Sequence, residues 1–198
     1  VDYRQLNDIT LKDKYPLPDI SSIIEEMQGA KYFSSLDLAQ GYHQVRLADS
    51  DVPKTAFRCQ FGSYEWKVMN FGLSNAVPVF VRLLNQVLQP VLGICAMCFI
   101  DDIIIYSKTL EQHRKDVDTV CNLLTAAGLY ANYSKCEFLK NEVEYCGFLI
   151  TPEGVKPMHD KVKAITQWEP PTTLYHVRSF LGAVGFYRRF IHNFAKIA

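Results

Sequence analysis

Apolar positions along the chain fall into segments of two different periods. Residues 20–28 carry apolar positions at helical spacing behind Asp19, a residue suited to cap a helix, and stop at Gly29. Residues 31–38 alternate and are rich in aromatic side chains, the pattern of a strand. Two short strands are expected near 55–60 and 64–69, with Gly62-Ser63 as their turn. Val79, Phe80, Leu83, Leu84, Val87 and Leu88 then mark one face of a helix over 75–89, stopped by Pro90. Two apolar runs, 94–100 and 103–106, flank an acidic pair and predict a β-hairpin. A second amphipathic helix follows over 110–127, with Gly128 as its C-cap. Short strands near 136–139 and 143–150 and two helices, 158–168 and 174–190, complete the pattern. Residues 1–20 are polar and contain Tyr15-Pro16-Leu17-Pro18; proline excludes helix there, so this stretch is expected to be extended.

Strands and helices in this order suit an α+β fold, an antiparallel sheet with helices packed on one face. The informative feature is the break in the hairpin, Asp101-Asp102. Burying adjacent carboxylates without a counter-charge is very costly, so they must be solvated or bind something cationic. A solvated turn is the plain reading, because Asp is common in turns. Asp37, at the end of the strand over 31–38, adds a second reading. Should that strand lie beside the hairpin, three carboxylates converge, and their repulsion favours divalent cations. Magnesium takes carboxylate oxygens and keeps waters and phosphates as its other ligands. Two such ions suit phosphoryl or nucleotidyl transfer.

The rest of the composition changes this picture little. Of 198 residues, 48% are hydrophobic and 21% charged, which excludes a predominantly disordered chain. The 21 basic and 21 acidic residues cancel, so net charge does not announce a nucleic-acid binder. Cys95 and Cys98 form a C-x-x-C without a second pair at zinc-site spacing. The cysteines mostly lie in or beside apolar runs, as reduced thiols in an intracellular setting would. No apolar run approaches the ~18 residues of a membrane span. Val1 is not an initiator Met and 190–198 is still helix-like, so an excised piece of a longer polypeptide is expected.

The stretch FIDDIIIYSK resembles the catalytic hairpin of reverse transcriptases, in the form common in gypsy-type LTR retrotransposons. FSSLDLAQGYHQV is similar to that family's first catalytic motif. VDYRQLN, KTAF, FGLSNA, SKCEF and RSFLGAVGFYRRFI resemble further segments in the family's order. The resemblance covers essentially the whole chain. It implies a right-hand polymerase fold: fingers from 1–30 and about 50–72, palm from about 31–49 and 73–155, and the start of the thumb or connection from 156–198.

The resemblance also implies roles. Asp37 and Asp101 would hold two Mg²⁺ ions (Mn²⁺ being possible), with Asp102 completing the site. A primer 3′-hydroxyl would attack the α-phosphate of a dNTP on an RNA or DNA template. Tyr42 matches the aromatic residue that excludes a 2′-hydroxyl; the backbone of Leu38, Ala39, Gln40 and Gly41 would contact the triphosphate. Phe71 and Gly72 match the loop against nucleotide and template. Lys135 aligns with a lysine proposed to protonate pyrophosphate. Tyr145, Cys146 and Gly147 match the hairpin that grips the primer end, and Arg4 and Lys54 are candidate template contacts. The remaining partners implied are the RNase H and integrase domains of a Pol polyprotein, in a cytoplasmic virus-like particle or the nucleus, with no membrane. Three departures stand out. Asn70 replaces a usual Pro, Asn75-Ala-Val-Pro replaces Asn-Ala-Pro-Ala, and Cys146 replaces a commoner Leu. They open a second reading, a catalytically decayed remnant that keeps the fold. A metal-dependent nuclease ranks last, for want of further ligands or a water-activating base.

Overall fold

The computed structural model describes residues 1–17 and 19–198 and divides the chain into two units, Val1–Asn141 and Glu142–Ala198. Pro18, the end of the expected extended stretch, lies outside the described residues. The first unit contains α1 (Arg4–Ile9), α2 (Ile20–Glu26), β1 (Tyr32–Asp37), β2 (Phe57–Cys59), β3 (Gly62–Tyr64), α3 (Ala76–Leu88), β4 (Ala96–Phe99), β5 (Asp102–Ser107), α4 (Leu110–Ala126) and β6 (Glu137–Lys140). Strands β4, β5, β1 and β6, in that spatial order, form an antiparallel sheet. The expected α+β architecture is borne out, with helices against one sheet face. Leu36 of β1, Ala96 and Cys98 of β4, and Ile103 and Ile105 of β5 form one core with Phe80, Leu84 and Leu88 of α3 and Val120 and Leu124 of α4. Ile104, pointing the other way, is also fully buried, so β5 is the continuous apolar run of a strand covered on both faces.

A polar brace crosses this core. His113 of α4 is fully buried and lies 2.8 Å from Ser34 Oγ on β1 and 2.9 Å from Ser107 Oγ on β5. Ser107 Oγ donates to Asp116 Oδ2 at 2.6 Å, so its one hydrogen is used and it must accept from His113 Nδ1–H. Nε2 is then left to accept from Ser34 Oγ–H, and Ser34 Oγ in turn accepts from Leu139 N of β6 at 3.2 Å. One neutral imidazole thus ties α4 to three strands.

Several expectations are corrected. Residues 4–9 are helical, not extended. This six-residue helix has no side-chain cap, and tertiary bonds hold it: Asn7 Nδ2 donates to Gly72 O and Asn7 Oδ1 accepts from Ser74 N, each at 2.8 Å. The β2–β3 hairpin turns at Gln60-Phe61, because Cys59 pairs with Gly62. Past Tyr64 the chain leaves the ladder, and Trp66 N bonds Thr55 Oγ1 instead. The segment 143–150 is two strands, not one. In the second unit β7 (Val143–Tyr145) and β8 (Phe148–Thr151) pair across Cys146-Gly147, both at positive φ, 49° and 80°, as a tight primed turn requires. A further strand, β9 (Gly154–Pro157), joins them, followed by α5 (His159–Thr166), α6 (Leu174–Phe186) and α7 (Phe194–Ile197). Phe148 stacks on Phe186 at 4.9 Å, and Tyr187 Oη donates to Gly147 O at 3.0 Å.

Truncating His113 to Ala leaves the buried Ser34 hydroxyl without its acceptor, removes the donor to Ser107 Oγ and opens a void, so it costs about 3 kcal/mol in urea unfolding. Burial holds the His113 imidazole below its usual 6.5, with Asp116 opposing. The folded chain therefore binds that proton less readily than the unfolded chain. Its contribution is present above pH 6.5 and is lost as pH falls below it; urea titrations across that range show a loss that His113→Asn removes.

Candidate active site

The carboxylates reach one place through strand register. β1 and β5 pair with Asp37 directly opposite Asp102. Leu36 and Ile103 face the helices, so their neighbours Asp37 and Asp102 project from the opposite sheet face, where paired side chains start about 5 Å apart at Cβ. The hairpin turn falls one residue earlier than expected: Phe99 pairs with Asp102, so Ile100 and Asp101 form the turn and Asp102 opens the strand. Ile100 sits at φ 61°, a first turn position normally given to glycine. A β-branched residue there costs about 1–2 kcal/mol, and such outliers cluster at functional sites.

Charge is concentrated to match. Burial first, then the charges of Asp101 and Asp37, push the Asp102 carboxyl above the usual carboxylate range. Lys135 Nζ stands 3.6 Å from Asp37 Oδ2. Its position follows from the backbone: Asn132 N donates to Asp37 O at 2.8 Å, and Lys135 N to Asn132 O at 2.9 Å. Asp37, Asp101 and Lys135 line a cavity of about 650 Å³, with Leu38, Gln40, Gly41 and Phe71 among its other walls.

Tyr42 lies beneath Phe71. Its ring meets the Phe71 ring edge-on at 4.8 Å and the Phe80 ring at 5.2 Å. Burial, then the charge of Asp101, raises its phenol above the usual value. Three further residues line the cavity that the sequence did not single out: His43, Trp66 and Asn132. His43 stacks on Trp66 at 5.4 Å and 19° and meets Phe71 edge-on, also at 5.4 Å. His43 stood inside the motif around Asp37, but Trp66 and Asn132 reach the site only through tertiary folding.

Other expected site residues of the first unit do not line the carboxylate cavity. Arg4 forks onto Asp2 on the surface, with Nη2 2.6 Å from Oδ2. Lys54 pairs with Asp51 at 2.5 Å and lines a different cavity of about 350 Å³. Ala39 is held by its backbone, its N–H donating to Tyr130 O at 2.9 Å. Gly72, at φ 88°, carries the chain past Phe71 into α3. Tyr145, Cys146 and Gly147 form the β7–β8 turn of the second unit, with Tyr145 buried. The departures from the family pattern are accommodated: Asn70 is buried and donates to Tyr3 Oη at 2.7 Å. Pro78 is the third residue of α3, where no intrahelical N–H bond is lost.

The donor set is oxygen only, which suits a hard cation of the magnesium class. Among the described residues no three His, Cys, Asp or Glu side chains close into a ready-made metal cage. Among the described residues no helix is long and apolar enough to cross a membrane.

Residues 1–150 match the family described as Reverse transcriptase (RNA-dependent DNA polymerase), and the chain belongs to that family. Within it, the chain resembles the Pol polyproteins of LTR retrotransposons. It is 42% identical over 198 residues to the retrovirus-related Pol polyprotein from transposon 297 of Drosophila melanogaster, covering all of this chain and 19% of that one. It is 42% identical over the same span to that from transposon gypsy, again 19% of the relative. It is 37% identical over 197 residues to the Transposon Tf2-3 polyprotein of Schizosaccharomyces pombe, covering all of this chain and 15% of the relative. The chain thus spans about a fifth of the length of the first curated relatives it matches. Among solved structures, a foamy viral protease–reverse transcriptase in complex with double-stranded DNA superposes with a TM-score of 0.92 at 26% identity, covering 99% of this chain and 34% of that one. One in complex with an RNA/DNA hybrid does so with a TM-score of 0.86 at 26% identity, covering 99% and 26%.

The raised Asp102 carboxyl has a measurable consequence. The folded chain binds that proton more readily than the unfolded chain, so this group's contribution is present at low pH and is lost as pH rises through its raised value. Without divalent ions, Asp102→Asn therefore melts at a higher temperature than wild type at neutral pH, and the gap closes on acidification. Added Mg²⁺ raises the melting temperature of wild type and leaves that of Asp37→Asn unmoved.

Proposed function

We propose that this chain is the fingers-and-palm portion of an RNA-directed DNA polymerase, which adds dNTPs to a primer 3′-hydroxyl on an RNA or DNA template. The observation that carries this reading is the pairing of Asp37 with Asp102 beside the turn residue Asp101, at the edge of a cavity that also holds Lys135. On this reading 1–30 and about 50–72 are fingers, about 31–49 and 73–155 palm, and 156–198 the start of the thumb. The chain acts as part of a Pol polyprotein alongside RNase H and integrase.

Asp37, Asp101 and Asp102 would hold Mg²⁺, or Mn²⁺. Bound there, such ions lower the pKa of the attacking oxygen and neutralise charge on the leaving one. The chain's own residues do the rest by positioning. Leu38, Gln40 and Gly41 wall the cavity beside Asp37, and the backbone of Leu38 to Gly41 would meet the triphosphate. Lys135, held beside Asp37, would donate a proton to the pyrophosphate oxygen as the α–β phosphate bond breaks; a positioned acid of this kind contributes about 10²–10⁴-fold. Tyr42 is wedged between Phe71 and Phe80, so its ring cannot swing away from an added 2′-hydroxyl. Phe71 and Gly72 would lie against base and template. Tyr145 to Gly147 would meet the primer end, while Arg4 and Lys54 would meet template phosphates, where affinity weakens with salt.

Primer extension on the parent open reading frame tests this. Asp101→Asn removes several kcal/mol of charge stabilisation and lowers dNTP incorporation by more than about 10²-fold; unchanged incorporation would overturn the reading. Tyr42→Ala is expected to retain extension with dNTPs and to gain incorporation of NTPs, scored on the same primed template.

A further inference from the structure

The ladder of β1 runs on past the strand's end in an uncommon way. Asn132 N donates to Asp37 O, Leu38 bridges Ala131, and Ala39 N donates to Tyr130 O at 2.9 Å. At Gln40 the chain leaves through a left-handed residue, φ 54°, into the tight turn Gly41–Gln44. The backbone has no further rung to offer there, and a side chain supplies it. Gln44 Oε1 accepts from Tyr130 N at 2.7 Å, and Gln44 Nε2 donates to Tyr130 O at 2.9 Å. The same nitrogen donates to Ala39 O at 2.6 Å, closing the loop 39–44 on itself.

Both amide hydrogens and the amide oxygen are used. A flipped amide would set its oxygen against two carbonyls and its NH₂ against an N–H, so the orientation is unique. The clasped ring contains Gln40 and Gly41, which wall the cavity, and Tyr42 between its aromatic neighbours. Its anchor, Tyr130, leads within five residues to Lys135.

We propose that Gln44 is a positioning residue for nucleotidyl transfer, its carboxamide clasping the loop 39–41 to the segment 130–135. The triphosphate wall and the Lys135 ammonium are thereby held in one frame around Asp37. The inference rests on the polymerase reading and deepens it. Gln44 touches neither metal nor substrate; it acts through the loop it holds, and a displacement of about 1 Å at such a site costs about 10²-fold.

Two variants of similar shape test it in the full chain. Gln44→Glu keeps the acceptor for Tyr130 N but turns a carboxylate on two carbonyls, and Gln44→Met keeps the length without any of the bonds. Both are expected to lower kcat/KM for dNTP by about 10²-fold, mainly through KM. Affinity for primer–template and the melting temperature should stay near wild type, and discrimination against NTPs should fall as Tyr42 loosens. Hydrogen exchange gives a readout independent of activity: the Tyr130 amide is protected in wild type and exchanges faster in Gln44→Met. Wild type that extends primer while both variants match its dNTP KM overturns the clasp and leaves the polymerase standing. Rapid Tyr130 exchange in wild type also overturns the clasp, even where a variant fails to fold. Wild type that extends nothing overturns the polymerase reading, and this inference with it.

Discussion

Antiparallel pairing of β1 with β5 is the constraint on which the rest of the structure depends. The side-chain period of a strand is two, so a slip of one residue would carry Asp37 to the helix side and bring Leu36 out in its place. The pairing must therefore hold against a local penalty, since it brings Asp37 and Asp102 face to face at one end. The opposing contribution comes from the other end and the middle. Ile103, Ile104 and Ile105 are fully buried, and each buried side chain of this size contributes about 1.5–3 kcal/mol. The neutral His113, gripping Ser34 and Ser107, adds direction to that burial, because its hydrogen bonds are satisfied in one register and stranded in the next.

Much of this was legible in the sequence, for physical reasons. The sheet strands and their covering helices came from hydrophobic period, which reports burial directly: α3 and α4 lie within a residue or so of their expected limits. The acidic pair stood out because apolar runs on both sides made its charge costly. What stayed hidden depended on partners distant in the chain. Helix α1 has no local signal strong enough to announce it; its Asn7 is anchored on Gly72, 65 residues away. The turn at Ile100 was misplaced by one residue because nothing in an isoleucine suggests positive φ. Trp66 and Asn132 reach the cavity through folding alone, and although His43, Gln44, Ser34 and Ser107 stood inside the two acidic motifs, nothing local announced their partners.

The family departures bear on the same division between scaffold and site. Asn70 spends its amide on Tyr3, in the loop that leads into Phe71 and Gly72, so the change from a usual proline exchanges a stiff backbone for a buried hydrogen bond. Pro78 enters a helix where the lost N–H has no intrahelical partner. Neither change reaches Asp37, Asp101 or Asp102. The fold absorbs Asn70 through one buried hydrogen bond and Pro78 at a position where none is lost, so they give no physical ground for treating the carboxylate cluster as impaired.

The proposed chemistry follows from where rigidity and strain are distributed. The sheet interior is braced and apolar, with almost no freedom to adjust. Its functional end holds a β-branched residue in a left-handed turn, two carboxylates side by side, and a loop that leaves the ladder at Gln40. An interior this firm fixes the direction in which each acid points, and positioning is what nucleotidyl transfer asks of a protein. The local costs then become useful. Carboxylates that repel one another in the ion-free chain gain most when a divalent ion arrives, and a loop that departs the sheet can wall a substrate that a continuing strand would exclude. On the proposed reading, the aspartates whose repulsion weakens the ion-free fold would be the reason it takes up a divalent cation.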